Sequence, residues 1–205
     1  AYITGDMMRN GLRPFLGEDD SLEVFFFGDP DQSVMRDLVK IIEAGRREDV
    51  PVPEGLCDAV ADADLLIVHL CPVTRNMIES AKSLKAIMSC RGGLENIDVQ
   101  AATENGIIVS NNPAHNANAV AEFTIGLILS ETRNICRSNF ALKNGQWRKV
   151  YPNTPTTIKE MTEMTVGIVG YGSIGRLVAH KLSVFGCRIV VADPFVKECR
   201  EEDEL

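Results

Sequence analysis

The sequence predicts an α/β protein in which parallel strands carry helices on both faces. Three observations predict it. Short β-branched or aromatic runs alternate with segments of helical period, a glycine-rich turn joins one buried-strand pattern directly to a helix, and a loop of turn-formers divides the chain in two.

The strand candidates in order are Tyr2–Thr4, Leu22–Phe27, Leu65–His69, Ala86–Ser89, Ile107–Ser110, Thr165–Val169 and Arg188–Ala192. Between them lie helical patterns. One places Val34, Leu38, Ile41 and Ile42 on a single face and stops at Gly45. Strands separated by helices imply βαβ units and hence parallel pairing. The loop Asn111-Asn112-Pro113-Ala114-His115-Asn116 marks a boundary, giving regions 1–113 and 114–205. The segment Asn118–Ile135 that follows is apolar on nearly all sides, so it predicts a buried helix. Tyr151–Thr157, with Pro152 and Pro155, reads as an irregular arm, and the acidic run Glu201–Glu204 as the opening of another helix.

Hydrophobic residues make up 45% of the chain and charged residues 24%, enough to bury a core and too apolar for a disordered segment. A net charge of -8 argues against a general binder of nucleic-acid phosphates. No apolar run approaches the ~18 residues of a membrane span, and the first residues lack the basic start and apolar stretch of a signal peptide, so a cytoplasmic location is expected. The six cysteines, Cys57, Cys71, Cys90, Cys136, Cys187 and Cys199, form no CxxC pair and no zinc-spaced cluster. Reduced core or loop thiols are expected, and no metal.

The most informative stretch is Thr165-Val166-Gly167-Ile168-Val169, a buried-strand pattern running into Gly170-Tyr171-Gly172-Ser173-Ile174-Gly175. A helix follows, then a second strand ending on Asp193. A lone GxGxxG is weak evidence, but strand, glycines, helix, strand and terminal acid in this register form a dinucleotide fingerprint. Gly170 permits a tight turn, Gly172 presents no Cβ to an approaching pyrophosphate, and Gly175 lets helix and strand pack closely. The N–H groups of Ser173 and Ile174, at the positive end of the helix dipole, suit the phosphates. Asp193, 18 residues after Gly175, suits the adenosine ribose hydroxyls, and its carboxylate repels a 2′-phosphate. NAD is therefore the expected cofactor, with Pro194 beside it. A ligand-free glycine turn and a strand-end Asp193 are the competing structural readings.

Three linked stretches carry a resemblance. The first is Gly92-Gly93-Leu94-Glu95-Asn96-Ile97-Asp98 with Ala101-Ala102 and Gly106-Ile107. The second is Asn112-Pro113, Asn116, Ala119-Val120-Ala121-Glu122 and Arg133-Asn134. The third is the glycine fingerprint preceded by Asn144-Gly145-Gln146-Trp147. In this order and spacing, over roughly residues 65–195, the chain resembles the D-isomer-specific 2-hydroxyacid dehydrogenases, which include phosphoglycerate dehydrogenases and glyoxylate/hydroxypyruvate reductases.

The resemblance implies a flavodoxin-like parallel-sheet substrate domain up to Pro113, followed by the first half of a Rossmann dinucleotide-binding domain. It implies hydride transfer between NAD(H) and a small 2-hydroxy or 2-keto acid in a homodimer. Arg91, Gly92 and Gly93 would form the turn that holds the substrate carboxylate, with His69 near a second substrate loop. Asn116 and Val120 would lie near the nicotinamide. Arg91 as a surface arginine, His69 as a structural strand-end residue and Asn116 as a plain N-cap remain open. The family more often has glycine where Arg91 stands, and its phosphoglycerate members carry an arginine where this chain has Ser89.

The family's catalytic arginine, histidine and glutamate would fall beyond Leu205. No catalytic residue is therefore expected in the chain, which would be a truncated product, a fragment or an incompletely recorded sequence, inactive alone. Some relatives act as transcriptional co-repressors, so an NAD-binding regulatory protein is the alternative.

Overall fold

A computed structural model of the chain describes residues 4–151 and 159–196. It separates into two compact units, Ala1–Pro113 and Ala114–Leu205.

The first unit is a parallel three-stranded sheet with helices. Its strands are β1 (Leu65–Val68), β2 (Ala86–Ser89) and β3 (Ile108–Ser110), in spatial order β1-β2-β3. Leu65 lies opposite Ala86, and Ala86 opposite Ile108, so all three strands run the same way in close register. The crossovers are α4 (Arg75–Ser80) and α5 (Val99–Glu104). Each starts where a short polar side chain accepts a first-turn N–H: Thr74 from Met77 and Asp98 from Ala101. β2 is central, and Ile87 on it is fully buried against Val60, Ile78, Val73 and Ile97. Upstream lie α1 (Gly5–Leu12), α2 (Gln32–Glu43) and α3 (Leu56–Asp62). Gly45, at φ 76°, ends α2.

The second unit holds β4 (Thr165–Val169) and β5 (Arg188–Ala192), parallel and paired in full register from Thr165↔Arg188 to Val169↔Ala192. Between them runs α8 (Ser173–Ser183); α6 (Ala117–Thr132) and α7 (Ile135–Lys143) precede them. The core of this unit gathers Ala121 and partly buried Ile125 and Ile128 of α6 with Val178 and Leu182 of α8, beneath Ile168 of β4.

Several expectations need correction. Leu22–Phe27 is not a strand. Phe25 and Phe27 pack against the core and Phe26 is exposed, but among the described residues β1 pairs only with β2. Alternation sets which side chains point inward, whereas a strand also needs a hydrogen-bonded neighbour. The inward face of α2 is centred on Met35 and Ile42, leaving Val34 at the surface. α6 is not buried all round: Ala117 and Ala121 are, while Phe123 is 68% exposed and Leu127 55%, because only one side packs on the unit's core. The helix also stops at Thr132. Asn134, at φ 55°, breaks it before α7 begins.

Thr4 caps α1 rather than ending a strand, and the rest of the Tyr2–Thr4 expectation lies outside the described residues. So do residues 152–157 of the Tyr151–Thr157 arm, whose first residue is described and buried, and the acidic run at 201–204. No described helix is long and apolar enough to cross a membrane. Five cysteines are described and all are free thiols; burial pushes the Cys71 thiol up to about 12.

Candidate functional site

The glycine turn of the second unit is built from its strand outward. β4 sets two β-branched residues on each side of Gly167 and delivers the chain to Gly170, whose φ of 93° is open only to glycine at low strain. Its N–H donates to the Ala192 carbonyl at 2.9 Å, stitching the turn to the end of β5. Gly172 is then the N-cap of α8, and the first intrahelical bond runs from Arg176 N to Gly172 O at 3.0 Å. The N–H groups of Ser173, Ile174 and Gly175 therefore precede the helix ladder and stay available to a ligand.

Gly175 differs from Gly170 and Gly172 in what surrounds it, since a Cβ on either of those two would meet nothing within 4 Å. A Cβ on Gly175 would lie inside the van der Waals envelope of the Gly170 carbonyl oxygen, so glycine is required there by packing. A Cβ on Gly172 would meet nothing within 4 Å. Glycine at that position leaves open space where the backbone of the turn faces outward.

Asp193 sits at the end of β5 beside the turn. Its Oδ2 accepts the Tyr171 N–H at 2.6 Å and its Oδ1 accepts the Phe195 N–H at 2.8 Å. Those backbone donors hold the carboxyl below the ordinary aspartate range. Each carboxylate oxygen keeps further lone-pair capacity for ligand hydroxyls. Pro194 follows on the surface. Tyr171 is buried, and the Arg176 guanidinium stacks on its ring 4.7 Å from the centroid. Neither residue was singled out from the sequence; their spacing across the turn, aromatic before and cation after Gly172, was the available signal. A cavity of about 300 Å³ along β4 is lined by Thr124, Ile128, Ile174 and Val178 among others and carries no charged side chain, so it offers packing rather than recognition.

Asn116 occupies the N-cap of α6 without a capping side-chain hydrogen bond, and Val120 lies half-buried one turn further on. Of the remaining histidines, His115 and His180 are exposed.

In the first unit, His69 and Arg91 come to the same edge. His69 directly follows β1, Arg91 stands two residues past β2, and the strands are parallel neighbours. The Arg91-Gly92-Gly93 turn is firmly held. Arg91 N donates to Ser89 Oγ at 3.2 Å, Asn112 N donates to the Arg91 carbonyl at 2.9 Å, and Asn111 Nδ2 donates to the Gly92 carbonyl at 2.6 Å. Asn111 and Asn112 belong to the loop of turn-formers, and Asn112 also to the second stretch of the resemblance; their position after β3 gives them this bracing role. The Glu95 carboxylate folds over Gly93, where a Cβ would overlap it.

Two parallel sheets, the second with a strand–glycine turn–helix–strand unit of Rossmann type, define the class: an α/β protein of the two-domain dehydrogenase kind. The chain belongs to the D-isomer specific 2-hydroxyacid dehydrogenase family, whose catalytic-domain model matches residues 25–182. It is 40% identical over 171 residues to a D-3-phosphoglycerate dehydrogenase of Methanocaldococcus jannaschii, covering 80% of this chain and 32% of that protein. It is also 40% identical over 142 residues to a hydroxypyruvate reductase of Thermotoga maritima, covering 69% of this chain and 45% of that one. Among solved structures it resembles an acyclic imino acid reductase in complex with NADPH and D-Arg, at TM-score 0.60 and 26% identity, covering 72% of this chain and 47% of that one. The chain thus spans less than half the length of these relatives.

Proposed function

We propose that the chain is part of an oxidoreductase that moves a hydride between NAD(H) and a small 2-hydroxy or 2-keto acid. In this reading residues 114–205 hold the cofactor and residues 1–113 the acid. The observation that carries it is the open space at Gly172, between a turn that requires Gly170 for its φ and a helix start that requires Gly175 for its packing. Such a cradle suits a pyrophosphate, with Ser173 and Ile174 N–H groups as donors. Bound there, a nicotinamide dinucleotide supplies the redox chemistry. The chain's residues bind and orient: Asp193 and Pro194 at the ribose, Asn116 and Val120 toward the nicotinamide, and His69, Arg91, Gly92 and Gly93 at the acid.

The solved reductase carries NADPH, so likeness alone leaves the choice of dinucleotide open. Asp193 supports NAD, because a carboxylate anchored by the turn's own backbone stays in place to repel a 2′-phosphate. Ser89 bears on the acid. It is buried and its short hydroxyl accepts from Arg91 N, so it offers no cation for a phosphorylated substrate.

Fluorescence titration tests the cofactor reading. NADH is expected to bind at least about tenfold more tightly than NADPH. Asp193→Ala should narrow that gap chiefly by weakening NADH. Equal affinities in the unaltered protein would remove Asp193 from the site.

A homodimer in the cytosol belongs to the same reading. Its support is the apolar pair Phe123 and Leu127, one turn apart on the uncovered side of α6. Sedimentation velocity should return twice the monomer mass, and Leu127→Glu should shift it to the monomer. A monomer before substitution would refute the assembly.

A further inference from the structure

Because β1, β2 and β3 are parallel and nearly in register, the residues after Val68, Ser89 and Ser110 share one edge of the sheet. Open parallel sheets bind ligands beyond this carboxyl edge. Arg91 stands there on a turn braced by Ser89, Asn111 and Asn112.

Its guanidinium is incompletely satisfied. The side chain is 22% exposed, yet Nη1 is buried and has no hydrogen-bond partner among the described residues. Nη2 faces Glu43 Oε1 at 3.6 Å, beyond hydrogen-bond length. Arg75 shows what a completed arginine in the same unit looks like: its Nη1 lies 3.1 Å from Glu79 and 2.7 Å from Glu104, and its Nε 3.7 Å from Asp98. A buried, charged, unpaired donor is costly, and an anion that reaches it recovers that cost. Glu43 is the last residue of α2, where the negative end of the helix dipole favours a nearby cation. The same carboxylate therefore competes with any incoming anion for Arg91.

We propose that Glu43 is the displaceable internal counter-ion of Arg91, the residue the 2-hydroxyacid reading sets at the acid's carboxylate. A ligand carboxylate takes the unpaired Nη1 and draws the guanidinium away from Glu43. Glu43 thereby lowers the affinity for carboxylates and sets the concentration at which the site fills. This deepens the 2-hydroxyacid reading and rests on it for the identity of the ligand.

Oxalate binding, measured by calorimetric titration without cofactor, tests the pair apart from turnover. Glu43→Gln should tighten oxalate about two- to fivefold, the range for a partly exposed ion pair. Arg91→Ala should weaken it about ten- to a hundredfold, and Arg91→Lys should fall between, since an ammonium keeps the charge and loses the fork. In the Arg91→Ala background, Glu43→Gln should change nothing. An unchanged affinity in Glu43→Gln, an effect that persists without Arg91, or no measurable oxalate binding in any form would each overturn the proposal. NADH-linked reduction of glyoxylate by the full-length protein is read separately. Its absence beside the expected oxalate pattern would refute the 2-hydroxyacid reading and leave the Arg91–Glu43 pair standing.

Discussion

Two glycine turns stand at the carboxyl ends of parallel strands among the described residues, and they are finished in opposite ways. The turn after β4 leaves its middle glycine, Gly172, facing open space, and its acid, Asp193, is tied to the turn's own backbone. The turn after β2 is covered by the protein's own carboxylate, with Glu95 lying over Gly93, while Arg91 beside it keeps a buried donor unpaired. One turn presents the backbone N–H groups of a helix start beside open space. The other is a cationic site with internal anions at hand. The difference teaches that a glycine in such a turn has at least three separate causes: a backbone angle, a packing contact, or room for a ligand. The atoms around each glycine separate them.

Substitution should separate these causes in the laboratory. The largest effects belong to the turn after β4. Gly175→Ala forces a methyl group against the Gly170 carbonyl, and since both atoms belong to a strand–turn–helix backbone, neither yields cheaply. We expect a loss of about 1–3 kcal/mol or more in stability, with nucleotide affinity falling alongside. Gly172→Val should do the reverse: a stability change within about 0.5 kcal/mol, with NADH binding abolished. Thermal melts paired with NADH titrations read both. Normal NADH binding by Gly172→Val would mean that the phosphate cradle lies elsewhere, and an unaltered melt for Gly175→Ala would remove its packing role.

The turn after β2 should give the smallest effect. The atoms nearest to a Cβ on Gly93 are the end of the flexible Glu95 side chain, which can swing into solvent. Gly93→Ala should therefore change stability by less than about 1 kcal/mol. A loss as large as that of Gly175→Ala would show that Glu95 is locked in place, and the contrast between the turns would disappear.

Much of this was legible in the chain. β2, β4 and β5 fall where their β-branched runs and flanking turn-formers put them, since short apolar runs between breakers have few alternative conformations. The family was legible too, because its linked stretches lie in order along the chain. Phe25-Phe26-Phe27 was misleading, since alternation reports burial and says nothing about whether a hydrogen-bonding neighbour is present. α6 was misleading for a related reason: its composition is apolar, but burial depends on what is there to cover it.

By itself, then, the sequence determined the parallel α/β class, the glycine turn with its terminal acid, and the family. These depend on local conformational preference and on spacing within a single strand–turn–helix unit, which a short stretch of chain carries whole. The tertiary structure alone decided that Glu43 faces Arg91, that Glu95 covers Gly93, and that Gly172 is open while Gly175 is not. Each of those facts is a contact between atoms that the fold brings together, and no local propensity encodes which side chain or empty space will be found on the other side.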